Sequence, residues 1–249
     1  MQDFVREEGQ PPVTSEQLVA QLREAILCGT LRPGDRLHQD RLAEEMGVSR
    51  TPLRTALTTL AQAGLVRYET NRGFRVREFS MSDLRHGLRV RAELEALACR
   101  LFALHITDAE VEHLHDLVRQ GDALLACGTL RPETQVPYRQ MNVEFHGTIY
   151  RGAGNPWLQS FIEQLHSVPL VSDRIAIWED YADVVRSHDD HRRIADALGQ
   201  RDGERAARIM LEHVSFVGAG TLTRVSQFPD EFLPPAEAPG GPGARRRPS

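Results

Sequence analysis

Four polar side chains lie where apolar ones would be expected, and their types suit metal chemistry. Asn142 and His146 stand one helical turn apart, and His146 is followed one turn later by Ile149 and Tyr150. His191 shares a helical face with Ile194, Ala195 and Leu198, and His213 shares one with Ile209 and Met210. Each of the three histidines is therefore expected to point into a core from a different helix. Imidazole suits divalent transition metals, and helical bundles build metal sites from ligands on facing helices. Three imidazoles and an amide would suit zinc, nickel or manganese. The alternative is that each histidine is a core residue with its own hydrogen bond. His188, one turn before His191, is a further ligand candidate. A second constellation is basic. Arg50, Thr51 and Arg54 lie at the start of a helix whose stripe Leu53, Ala56, Leu57 and Leu60 faces inward. A guanidinium fork can bond a guanine edge in the DNA major groove, and a helix N-terminus attracts phosphate. The alternative is a solvated arginine face on a small domain.

The elements that must hold these residues follow from periodicity and punctuation. Thr14 and Gln17 have capping-box spacing, and Leu18, Leu22 and Ile26 then recur on one face until Gly29. Pro33-Gly34 marks a turn. Leu42, Ala43 and Met46 predict a short second helix ended by Gly47. Ser49 is placed as the N-cap of a third, with Pro52 in its first turn. Leu65, Val66 and Tyr68 lead through Asn71-Arg72-Gly73 to a strand in which Phe74 and Val76 alternate with Arg75 and Arg77. The hairpin tip at Arg72 and Gly73 is short and basic, like a wing lying along a minor groove. From residue 80 the pattern is helical throughout. Ser82, Thr107, Asn155 and Asp202 stand at helix starts, and six helices are expected, the third near 136–151 and the fifth near 182–198. That is a bundle. The fold class is thus mainly α, an N-terminal winged helix-turn-helix followed by an all-α helical bundle. The expected division is a loose arm at 1–13, a DNA-binding domain at 14–79, a bundle at 80–226 and a disordered tail at 227–249.

Composition limits the classes of function. The chain has 249 residues, a net charge of −5, and 30 basic residues that are all arginine. The charge is unevenly placed: residues 41–77 hold seven arginines against three acids, and 81–226 hold 16 against 21. A local basic patch is what phosphate contact requires, whatever the total. Arg245–Arg247 in the tail could touch phosphate nonspecifically or simply be solvated. Cys28, Cys99 and Cys127 are unpaired in spacing, against a disulfide framework and in keeping with a reducing cytoplasm. No apolar run reaches the roughly 18–20 residues of a membrane span, and no secretory signal is visible. There is no HExxH, nucleophile elbow or phosphate loop, and Glu144 points away from Asn142 and His146 by helical phase. A metalloenzyme and a DNA-binding protein without a ligand are the rival readings.

The run LREAILCGTLRPGDRLHQDRLAEEMGVSRTPLRTALTTLAQAGLV, with the NRGFRV hairpin, closely resembles the winged helix-turn-helix of GntR-family bacterial transcription regulators over about residues 14–78. The second half, through VRAELEALACRLFA, the N-x-x-FH of residues 142–146, GNPWL and the histidines of 191–213, is similar to the FCD-type ligand-binding domain of the FadR subfamily. The resemblance implies DNA contacts from Arg50, Thr51, Arg54 and the wing around Gly73, so Ser49, Arg50, Thr51, Arg54, Arg72 and Gly73 form the candidate interface. Some members carry an arginine at the position matching Asp40, where an acid cannot make a phosphate bond. The resemblance also implies a metal held by residues matching Asn142, His146, His191 and His213, with Asn142 replacing an aspartate. It further implies open metal positions for a small organic acid, a homodimer on double-stranded operator DNA, and a ligand-responsive repressor or activator. Arg91 is the candidate carboxylate partner; the alternative is an ion pair with Glu95, at i+4.

Overall fold

The computed structural model describes residues 13–27, 29–129, 131–166, 168, 170–172 and 180–229. Nearly all of the expected arm and tail, including Arg245–Arg247, and Cys28 lie outside them. Helix α1 (Ser15–Leu27) buries Leu18, Leu22 and Ile26, and the Thr14–Gln17 box closes its start with two reciprocal bonds of 2.9 and 3.2 Å. Helices α2 (Gln39–Glu45) and α3 (Arg50–Gln62) follow. Ser49 is the N-cap residue of α3, but its side chain makes no capping bond, so its hydroxyl stays exposed.

Strands β2 (Val66–Glu69) and β3 (Gly73–Val76) form the expected antiparallel hairpin. Asn71 at φ 61° and Gly73 at φ 81° take the left-handed backbone that the tight tip requires. A strand that periodicity did not reveal, β1 (Arg36–Leu37), pairs on the other side of β3 with Leu37 opposite Phe74. Two residues are too few to show alternation, and this strand exists only because β3 is there to pair with it. The α1 stripe, Leu53, Leu57, Leu60, Phe74 and Val76 close one small core.

Six helices make the second half among the described residues: α4 (Met81–Phe102), α5 (Asp108–Leu125), α6 (Pro132–Gly152), α7 (Pro156–Leu165), α8 (Tyr181–Gly199) and α9 (Gly203–Gln227). Thr107, Asn155 and Asp202 cap as expected, but Ser80 rather than Ser82 caps α4, through a full capping box with Asp83. Helix α6 begins a turn earlier than its apolar pattern, because Pro132 fits the first helical position, where no N–H is needed. Helix α4 packs along α9 and also meets α6 and α7, while α5 packs on α6 and α8. Phe102, Ile106, Leu114, Phe145, Ile194 and Met210 lie in the bundle core. A third cluster joins Phe79, in the link after β3, to Leu84, Leu88, Val171 and Val225.

The small N-terminal core has little apolar volume to spare. Leu57→Ala is expected to destabilise it by about 2–5 kcal/mol through lost burial and a residual cavity. Hydrogen exchange should then rise selectively in residues 14–76, with α5, α6 and α8 still protected.

Candidate metal centre and nucleic-acid interface

Helices α6, α8 and α9 bring His146, His191 and His213 together in the bundle interior, 1%, 0% and 2% exposed. One ligand-capable atom from each lies within 4.8 Å of the others. His146 Nε2 and His213 Nε2 are 3.3 Å apart, and the His191 and His213 ring centres are separated by 4.8 Å. Phe145 stacks on His191 at 4.4 Å and fixes that ring's plane. Asn142 is buried one turn before His146 on α6.

The hydrogen bonding of the triad is unusual for buried imidazoles. Among the described residues, both ring nitrogens of His191 and Nδ1 of His188 and of His213 lack a hydrogen-bond partner, the last facing the Asp190 carboxylate at 3.9 Å. Individually satisfied core histidines would not look like this, because buried polar atoms without partners are costly. One nitrogen from each of three imidazoles within reach of a common point is what a cation needs. His188 does something else. Its Nε2 faces the Val118 carbonyl oxygen at 3.1 Å, and α5 can come this close only because Gly121 has no Cβ. An added Cβ there would stand 2.1 Å from the His188 ring. His188 is therefore seated on α5 and lies outside the triad.

Periodicity missed the group that orients the triad. Glu95 on α4 is 1% exposed, and its Oε2 lies 2.5 Å from His146 Nδ1. Its Oε1 accepts from Arg91 Nε at 2.6 Å and faces His166 Nε2 at 3.3 Å. With Nδ1 of His146 donating to Glu95, Nε2 carries the lone pair that faces the other two histidines. Burial alone would raise the Glu95 carboxyl, but the Arg91 guanidinium and then His146 hold it well below the usual carboxylate range. Arg91 is itself buried, and Nη1 donates to the Val171 carbonyl oxygen at 3.0 Å. The effector candidate of the sequence thus sits in its alternative role, the pair with Glu95, though in the interior rather than at the surface. Glu144 is half-exposed and pairs with Arg151, away from the triad.

The basic residues converge as well. Arg50, Thr51 and Arg54 on α3 and Arg72 and Gly73 at the hairpin tip line one cleft of about 440 Å³, together with His38, Gln39 and Asp40 of α2 and its approach. Ser49 is exposed beside it. Arg54 and Arg72 carry no ion pair among the described residues, whereas Arg50 is paired with Asp40. Not every arginine nearby is available. Arg67 and Arg75 share Glu69, and Arg41 is held by Glu45 at 2.7 Å.

The FCD domain family matches residues 87–216, and the bacterial regulatory proteins of the gntR family match residues 14–76. The Nta operon transcriptional regulator of Aminobacter aminovorans is 32% identical over 185 residues, covering 74% of this chain and 82% of that protein. The transcriptional regulator LutR of Bacillus subtilis is 27% identical over 77% of this chain and 94% of its own length. E. coli McbR/YncC has the same fold, with a TM-score of 0.71 at 24% identity over 86% of this chain and 99% of that one.

Burial, followed by the charges of neighbouring histidines, holds His191 and His213 well below the ordinary histidine pKa. The unfolded chain takes up protons below about pH 6.5 that the folded His191 and His213 refuse, so acid favours unfolding. Urea denaturation of chelator-treated protein should show stability falling between about pH 7.5 and pH 5, with a limiting slope of about 1.4 kcal/mol per pH unit for each histidine. The His191→Gln/His213→Gln variant should flatten that fall. Glu95 acts in the same direction at lower pH, its stabilisation being complete above about pH 4.3 and lost as pH drops through its depressed value.

Proposed function

This chain belongs to the gntR family of bacterial regulatory proteins and carries an FCD domain, and from that premise we propose a metal-dependent, effector-responsive transcription regulator. Its relatives are transcription regulators rather than enzymes. Residues 14–79 form the operator-binding unit and residues 80–226 the effector unit. Two copies of the chain pair, and each places the start of α3 in the major groove of one half-site, with the wing at Arg72 and Gly73 along the adjacent minor groove. The protein works in the cytoplasm, where its DNA is. No helix among the described residues is long and apolar enough to cross a membrane.

The observation that carries the metal reading is the gathering of one ligand atom each from His146, His191 and His213 within 4.8 Å, with neither ring nitrogen of His191 hydrogen-bonded among the described residues. His146, His191 and His213 would hold a divalent ion, zinc, nickel or manganese, with Asn142 as a neutral fourth ligand. The ion would supply a Lewis-acidic anchor for a small organic acid. Charge supports an anionic effector. Neutral imidazoles and an amide leave a dication uncompensated, and the nearby Glu95 carboxylate is already matched by Arg91. Glu95 fixes the His146 ring, and Arg91 holds Glu95; neither is free to meet the effector.

Elemental analysis of protein purified without added metal is expected to find close to one ion per chain, lost in the His146→Ala/His191→Ala/His213→Ala variant. Absence of metal from wild type, even after zinc, nickel and manganese are supplied, would overturn the metal reading. Glu95→Gln should weaken metal affinity by about 10- to 100-fold, measured by competition with a chelating dye. At the other end of the molecule, Arg54→Ala should weaken binding to a selected operator by about 10-fold or more, with little effect on the metal content.

A further inference from the structure

The DNA-facing cleft contains a carboxylate. Asp40 stands in the first turn of α2 and lines the cleft with Arg50, Thr51, Arg54 and Arg72. Its Oδ1 is paired with Nη2 of Arg50, the first residue of α3. Both side chains are largely exposed, 71% and 73%, so the pair does little to hold the fold together. An acid facing a polyanion also works against affinity, since each DNA phosphate it meets repels it. A group that contributes little to stability and opposes attraction fits another task in that position.

Two chemical facts define the task. A guanidinium has five N–H donors in a fixed plane, and a carboxylate on one edge stops rotation of that plane while leaving the remaining donors free. Those donors match the O6 and N7 acceptors of guanine. The carboxylate keeps further lone pairs, and in the major groove the cytosine N4 amine presents a donor to them; the adenine N6 amine does so beside the N7 acceptor, which repels the second oxygen, and thymine and guanine oxygens would repel it outright.

We propose that Asp40 is a specificity-determining residue of this regulator. It sets the Arg50 fork for guanine and itself selects a neighbouring cytosine through the N4 amine. The proposal rests on the operator-binding reading above. Asp40 and Arg50 then act as one reading head. Arg54 and Arg72, without ion pairs, carry the attraction to the duplex that Asp40 lacks.

The test is selection from a random duplex library at fixed salt, using the full chain, Asp40→Ala, Asp40→Asn and Arg50→Ala. Affinities for the preferred site and its single-base variants follow. The wild type is expected to select a guanine with a cytosine next to it in each half-site. Asp40→Ala should lose at least about 10-fold of the discrimination at the cytosine and part of that at the guanine. Its affinity for unrelated DNA should be equal or higher, and its thermal unfolding unchanged. Arg50→Ala should lose the guanine preference and weaken the cytosine preference, because the two positions are coupled through the pair. If wild type enriches no sequence, the operator reading itself fails. If wild type enriches a site and Asp40→Ala selects the same one with the same discrimination, the role given to Asp40 is wrong while operator binding stands. A uniform affinity change across all sequences would likewise overturn it, since that is the signature of general electrostatics alone.

Discussion

A carboxylate with almost no access to water organises the bundle. Glu95 is charged in the interior, and removing such a charge from water costs several kcal/mol unless good partners replace the hydration. The partners come from three directions. Arg91 lies one turn back on α4, His146 reaches across from α6, and His166 comes from the end of α7. Each bond fixes a group used elsewhere. Arg91 turns to the Val171 carbonyl and thereby ties the segment after α7 to α4. His146 is held in the tautomer and ring plane that present Nε2 to His191 and His213. Without this anchored imidazole the other two rings would have no fixed third partner.

Much of this was legible in the sequence, and the parts that were not have a common cause. Amphipathic spacing located the helices because burial of a stripe is a local rule. The same rule put His146, His191 and His213 in the interior, since each shares a face with apolar residues. Capping boxes at Thr14 and Thr107 could be read because their partners lie three residues away. The pairing of β1 with β3, the role of Glu95 and the seat of His188 on α5 depend on residues dozens of positions distant. Arg91 illustrates the limit well. Its i+4 relation to Glu95 is visible in one dimension, but only three dimensions show that both are buried and that His146 and Val171 complete the set.

The two functional regions use opposite electrostatic designs. In the bundle, three buried imidazoles gather in a dry space, where an interaction with charge is strong because water does not screen it. At the cleft, Arg50, Arg54 and Arg72 stand in water, where attraction to phosphate is long-ranged, salt-dependent and poor at discrimination. Discrimination must therefore come from fixed geometry. Near the cleft Glu69 occupies Arg67 and Arg75, and Glu45 occupies Arg41, so fewer of the arginines there lack an acidic partner than the composition suggests.

A contiguous set of contacts runs between the regions. His146 meets Glu95, Glu95 meets Arg91, and Arg91 bonds the carbonyl of Val171. The Val171 side chain packs in the same cluster as Phe79, which belongs to the short link between β3 and α4. Contact alone does not transmit anything, because an effector shifts an equilibrium only by its differential affinity for two arrangements. The link supplies a place for two arrangements to differ. Only four residues separate Val76 of β3 from Met81 of α4, and Phe79 is the buried one among them. The wing at Arg72 and Gly73 is the start of that strand. Coupling between the bundle and the wing through this link requires two arrangements of it whose energies an effector shifts differently.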